Sequence, residues 1–213
     1  MRNRFDRELS ILNTELIEMG ALIENAIDRA VGALFKQDES LAESAIEFDS
    51  EVDRKERDIE SRCLKLLLQQ QPVARDLRTI SSALKMITDM ERIGDQAADI
   101  AEITHRLKQT DAPLCDTHIK EMSKSTIRMV KESVDAFVAR DLALAQKVIA
   151  EDDEVDDMFV HVRDELVQML KKEESEPAAV IDVLMIAKYL ERIGDHATNI
   201  AEWVAFSITG RHE

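Results

Sequence analysis

Apolar residues recur at intervals of three and four along almost the whole chain, the spacing that keeps one face of a helix in a core. The first run, Leu9, Leu12, Leu16, Met19, Ile23, Ile27, Ala30 and Leu34, predicts an amphipathic helix from Phe5 to about Lys36. Gln37-Asp38 breaks it, and the Asp38 carboxylate is suited to cap the next helix. That second helix carries Leu41, Ala45, Phe48, Val52, Ile59, Cys63 and Leu66 on its buried face and ends at Gln71-Pro72. A third runs from about Ala74 to Leu107. Thr110-Asp111-Ala112-Pro113-Leu114 has the turn chemistry of a linker. Beyond it, helices are predicted over about 117–139, 142–172 and 177–208, with Pro177 in a first turn where its missing N–H is not needed.

The order repeats because the sequence repeats. Glu91-Arg92-Ile93-Gly94-Asp95, continuing to Ile100-Ala101-Glu102, returns as Glu191-Arg192-Ile193-Gly194-Asp195, continuing to Ile200-Ala201-Glu202, at a constant offset of 191 − 91 = 100. Upstream, Asp49-Ser50-Glu51-Val52-Asp53 matches Asp152-Asp153-Glu154-Val155-Asp156 at an offset of 152 − 49 = 103. The expected fold is therefore all-α: two tandem antiparallel three-helix bundles, six long helices from an internal duplication, over residues 1–109 and 115–213. Helices of about 30 residues would each span ~45 Å.

At ~100° per residue, Glu91, Asp95, Asp99 and Glu102 share one stripe of the third helix, opposite Met86, Met90, Ile93, Ala97 and Ile100. The last helix repeats both faces, with Glu191, Asp195, Asn199 and Glu202 on the polar side. A solvated outer surface is the plainest use of such acids. Against it, like charges one turn apart cost a few tenths of a kcal/mol per pair, and Gly94 and Gly194 each cost roughly 1 kcal/mol relative to Ala. Both costs recur at matching positions, and a glycine there lets a neighbouring backbone or a ligand approach closely. The pattern points to a cation. If the helices of each half converge, Asp49, Asp53, Glu91, Asp95 and Asp99 form one candidate metal site, and Asp152, Asp156, Glu191, Asp195 and Asn199 the other. Oxygen-only ligands suit Mg²⁺, Mn²⁺, Ca²⁺ or iron better than a cysteine-rich zinc site; iron, zinc, manganese and magnesium are the ions to test.

Composition narrows the class. Five glycines, three prolines and 4% aromatics among 213 residues favour a nearly all-helical chain. A net charge of −16 disfavours nucleic acid and acidic lipid surfaces as partners. No apolar run approaches the ~20 residues that span a bilayer, so direct membrane insertion is not expected. The opening Met1-Arg2-Asn3-Arg4-Phe5-Asp6 is no signal peptide, and a cytoplasmic location is the expectation. Cys63 reads as core and Cys115 falls in the linker, so no functional disulfide is expected.

A catalytic di-iron bundle would need Glu-x-x-His on two helices. Glu102 with His105 supplies one instance, and Glu202-Trp203-Val204-Ala205 does not repeat it. His105 reads as a partner of the helix dipole, and His196 as a possible further ligand whose counterpart is Gln96. No phosphate loop, nucleophile elbow or Cys-x-x-Cys is present, so no catalytic residue is assigned. A metal-dependent enzyme or metal-storage bundle is the alternative reading. Trp203, Phe206 and Ile208 are expected to pack within the bundle rather than face a partner.

The doubled Glu-Arg-Ile-Gly-Asp with its Ile-Ala-Glu, the Asp-x-x-x-Asp pairs and Gln71-Pro72-Val73-Ala74-Arg75-Asp76-Leu77-Arg78 together resemble the PhoU family of bacterial phosphate-uptake regulators, over nearly the whole chain. The resemblance implies a cytoplasmic, commonly dimeric, non-enzymatic adaptor whose acidic motifs bind metal. It implies partners too: the ATPase of the phosphate ABC transporter, and the sensor histidine kinase of the phosphate regulon, which the adaptor holds off when phosphate is plentiful. Two departures stand out. Asn199 replaces an acid, leaving the second site one anionic ligand short, and Glu174-Ser175-Glu176-Pro177 lacks the basic residues that follow Gln71-Pro72, so a partner surface there belongs to one half.

Overall fold

A computed structural model describes residues 2–70, 73–107, 116–172 and 176–211. All six expected helices form: α1 Arg2–Lys36, α2 Glu39–Gln70, α3 Ala74–Leu107, α4 Asp116–Ala139, α5 Leu142–Lys171 and α6 Pro177–Thr209. Gln71-Pro72, the 110–115 linker with Cys115, and Glu174-Ser175 lie outside the described residues.

The duplicated turns have one construction. Gln37 and Arg140 both adopt left-handed φ, 52° and 56°, immediately after α1 and α4. The next residue then donates its N–H five residues back, Asp38 to the Ala33 carbonyl at 3.2 Å and Asp141 to Ala136 at 2.9 Å, which satisfies carbonyls the ending helix leaves open. The same two aspartates start the following helices. Asp38 accepts from the Ser40 and Leu41 N–H groups, and Asp141 from Leu144. The Asp38 cap is as the sequence predicts, and its bond from the Ser40 hydroxyl is the main cause of a lowered carboxyl pKa. Pro177 takes the first turn of α6, and Gly210 closes that helix in the left-handed conformation at φ 76°.

Within each half the three helices pack pairwise, and α1 also packs on α4 and α3 on α6. The outer helices α2 and α5 do not meet. The buried apolar residues of both halves join in one continuous cluster, so the seam between the repeats is core. Gly20 of α1 faces Val134 of α4, where an added Cβ would sit at an ordinary 3.5 Å. Buried hydroxyls on α4 donate back to their own helix, Thr126 to the Ser123 carbonyl and Ser133 to Val130, which satisfies polar groups held out of water.

The apolar stripes are buried as the periodicity requires, Met86, Met90, Ile93, Ala97 and Ile100 on α3 and Ile186, Leu190, Ile193, Ala197, Ile200 and Val204 on α6. Trp203, Phe206 and Ile208 are half-buried. Trp203 and Ile208 pack on the core, Phe206 meets Trp203 edge-on at 5.9 Å, and Lys85 of α3 lies over the Trp203 ring. Cys63 is a core residue, its thiol pushed up to about 12 by burial.

Candidate metal centre

Both signature glycines face the acidic helix of their own half, and at Gly94 the approach is closer than a side chain would ordinarily allow. A Cβ on Gly94 would lie 3.1 Å from Cγ1 of Val52, and one on Gly194 would lie 3.4 Å from Cγ1 of Val155 and 3.6 Å from Oδ1 of Asp152. What approaches each glycine is therefore a valine of the acidic helix. Its flanking aspartates, one turn apart, come with it to the carboxylates of the signature.

In the first half, Asp49 and Glu91 both have carboxyl pKa values above the usual range. Burial is the main cause for each, followed by Asp95, Asp53 and Asp99 around Asp49, and by Asp95, Glu56 and Asp53 around Glu91. The expected convergence of α2 with α3 therefore occurs, and Glu56 is an additional member. Asp49 Oδ1 is buried without a hydrogen-bond partner, an orphan acceptor of the kind a cation satisfies. Other members hold arginines. Arg92 reaches Asp95 at 3.2 Å and Glu91 at 3.5 Å, and Arg57 reaches Asp53 at 3.5 Å.

The second half is arranged differently. Asp156, Glu191 and Asp195 each present an oxygen such that the three lie within 4.8 Å of one another, the only such group among the described residues. Ligand oxygens at ~2.0–2.6 Å from a Mg²⁺ or Ca²⁺ centre sit no more than about 4–5 Å apart, so this donor set fits a hard cation. Asp152, Glu191 and Asp195 have raised pKa values, burial first and neighbouring carboxylates after it. Lys188 pairs with Glu191 and lies 5.4 Å over the Phe159 ring. Phe159 stands at the position equivalent to Glu56 (159 − 56 = 103) and Lys188 at that of Thr88. A carboxylate of the first half is thus exchanged for a cation perched on an aromatic face.

Asp99 and Asn199 are turned toward the seam between the halves. Asn199 donates to Asp89 Oδ1 at 3.2 Å, and His196 Nδ1 meets the same oxygen at 2.9 Å. At the equivalent place, Tyr189 hydrogen-bonds Asp99 and tempers a pKa otherwise raised by burial. Asp89 and Tyr189 differ by the same offset of 100 as Asp99 and Asn199, so these are one contact made twice about a pseudo-twofold axis. Asp99 still adds its charge to the Asp49 cluster. His196, a possible ligand from the sequence, is held by Asp89. His105, in the last turn of α3, pairs with Glu39 at 3.3 Å.

A sequence model of the PhoU domain matches the chain twice, over residues 16–104 and 119–204. The chain is 38% identical over 211 residues to the phosphate-specific transport system accessory protein PhoU homolog of Clostridium acetobutylicum, spanning 99% of this chain and 96% of that one. It is 30% identical to the PhoU accessory protein of Escherichia coli K12, over 98% of this chain and 86% of that one. The crystal structure of PhoU from Pseudomonas aeruginosa superposes with a TM-score of 0.91 at 35% identity, covering 97% of this chain and all of that one. The phosphate transport system regulatory protein PhoU from Streptococcus pneumoniae also gives 0.91, at 28% identity, covering 98% and 99%.

Proposed function

Because the chain belongs to the PhoU family, we propose that it is a regulatory accessory protein of phosphate uptake, a non-enzymatic adaptor that acts in the cytoplasm as a homodimer. In this reading it contacts the ATPase subunit of a phosphate ABC transporter and restrains a sensor histidine kinase when phosphate is plentiful. The observation that carries the reading is likeness over nearly the full length of both partners, in sequence and in fold, to proteins named for accessory and regulatory roles in phosphate transport. No helix among the described residues is long and apolar enough to cross a membrane.

The metal part of the reading rests on Asp156, Glu191 and Asp195. These three would hold a divalent or iron-type ion, with Asp152 beside them. The ion would relieve the repulsion between carboxylates that, after burial, raises the pKa values of Asp152, Glu191 and Asp195. In the first half, Asp49, Asp53, Glu91 and Asp95 would need Arg92 and Arg57 to swing away before binding.

The test is co-elution of the purified protein with the transporter ATPase subunit, and separately with the cytoplasmic part of the kinase, with Mn²⁺ or Mg²⁺ and again with chelator. The proposal expects a complex with each partner, and failure with both in either buffer would remove the adaptor role. Elemental analysis of protein purified without chelator, beside an Asp156→Ala, Glu191→Ala, Asp195→Ala variant, tests the metal. An equal metal content in both would place any ion elsewhere.

A further inference from the structure

In a chain of net charge −16, three arginines gather at the end of the molecule where α3 begins and α4 ends. Arg75 and Arg140 line a cleft of about 350 Å³ together with Thr79, Asp76 and Asp6. Arg78 stands beside them, its guanidinium carbon 3.5 Å from where a Cβ of Gly210 would be. Several arginines elsewhere are bridged by acids, Arg62 by Glu8 and Glu15 and Arg92 by Glu91 and Asp95. Here they are not. Among the described residues neither Arg75 nor Arg78 forms an ion pair, and Arg78 Nε is buried with no hydrogen-bond partner. The Arg140 guanidinium donates to the neutral Thr79 hydroxyl, at 3.3 Å. Burial, then Arg75 and Arg78, pull the Arg140 pKa down, with Asp76 opposing.

The position of Arg140 is built into the backbone. It occupies the left-handed site after α4, at φ 56°, where glycine is the usual residue and a long side chain is uncommon. That turn projects the guanidinium across the seam onto α3. Clustered guanidinium groups repel one another even with Asp76 partly offsetting the charge, and a multiply charged oxyanion relieves this while accepting paired N–H bonds.

We propose that the cleft lined by Arg75 and Arg140, with Arg78 adjoining, binds a phosphate-type oxyanion, either free orthophosphate or the phosphoryl end of a nucleotide. Its volume lies at the small end of ligand pockets and accommodates either. Asp6 and Asp76 in the lining sharpen the chemistry. A carboxylate repels a fully deprotonated anion such as sulfate and accepts a hydrogen bond from the O–H of hydrogen phosphate, so the cleft discriminates in favour of phosphate. This goes beyond the adaptor reading and does not depend on it.

The experiment is isothermal titration of the full, chelator-treated chain at pH 7.5 with sodium phosphate, sodium sulfate and ATP, repeated on Arg140→Gln and on Arg75→Gln. Arg75 is exposed in the first turn of α3, so its variant keeps the test open if Arg140→Gln unfolds, as circular dichroism would reveal. Saturable phosphate binding, weakened roughly tenfold or more by either substitution and stronger than sulfate binding, is the expected result; tenfold is the loss of about one charge-assisted bond. ATP binding more tightly than phosphate, with the same dependence on both arginines, would identify the nucleotide as the source. No saturable binding of phosphate or ATP, or binding that both variants leave unchanged, would overturn the proposal.

Discussion

The two signature glycines should respond oppositely to the same substitution. Placing Ala at position 94 or 194 relieves the cost of glycine in a helix interior, a gain of about 1 kcal/mol at each. The new methyl group then meets a valine. At 194 the contact is ordinary, 3.4 Å to Val155 Cγ1, and most of the gain should survive. At 94 the methyl sits 3.1 Å from Val52 Cγ1, with Cβ and Cγ2 of the same valine at 3.4 and 3.5 Å. Val52 is fully buried, and a β-branched side chain in a helix has essentially one rotamer. Relief must come from moving α2 away from α3, an overpacking cost of roughly 1–3 kcal/mol. Gly94→Ala should therefore be destabilising by about 1 kcal/mol net and Gly194→Ala stabilising by up to about 1 kcal/mol, which for a chain of this size separates their melting temperatures by roughly 4–8 °C. Urea denaturation of the two variants and of wild type measures it. Val52→Ala combined with Gly94→Ala should show a favourable coupling, because the smaller residue removes the clash. If Gly94→Ala is as stable as Gly194→Ala, glycine at 94 is not there to seat α2, and the account of how the two acidic stripes are brought together is wrong.

Four further outcomes are expected. The raised carboxyl pKa values of Asp49, Glu91, Asp99, Asp152, Glu191 and Asp195 mean that the folded state takes up protons before the unfolded chain does. Metal-free protein should therefore gain stability as pH falls from neutrality toward the ordinary carboxylate values near 4 and lose it as pH rises. Mn²⁺ at a hundred times its dissociation constant should add about 2.7 kcal/mol at neutral pH, roughly 5–10 °C in calorimetry; a melting temperature that only falls on acidification would contradict the first statement. Asp89→Ala removes the acceptor shared by His196 and Asn199 at the α3–α6 seam and should cost roughly 1–3 kcal/mol in urea denaturation, whereas a neutral result would mean that the seam is held by apolar packing alone. In a Cys115→Ser background, Cys63 should resist iodoacetamide at pH 8 until urea unfolds the chain, because burial holds the thiol near 12 and thiolate is the reactive form.

The helices were legible because a 3.6-residue period over about 30 residues leaves little room for another reading. Ala74 and Leu107 bound α3 where the sequence places them, and the ends of α4 to α6 differ from expectation by one residue. The carboxylates of α2 and α3 converge as the paired motifs suggest, because Val52 and Val155 lie between the aspartates that flank them and fit against the glycines. How the halves join was not legible. Periodicity tells a helix which face to bury and not against which partner, so spacing does not mark Asp89 and Tyr189 as contacts between α3 and α6. The exchange of Glu56 for Phe159 is present in the sequence at the offset of 103, but nothing in spacing alone marks that position as part of the acidic cluster. Arg75 and Arg78 stood out beside Gln71-Pro72, but their companion Arg140 is more than sixty residues away across a turn that spacing cannot fold.

The central claim is that this chain regulates phosphate uptake, and the most direct measurement is of a phosphate-controlled promoter in the organism that carries it, with and without the gene, in phosphate-rich medium. The account predicts high promoter activity when the gene is deleted and repression restored by the intact chain supplied in trans. Full repression in the deletion strain, with the phosphate transporter and its kinase intact, would contradict it.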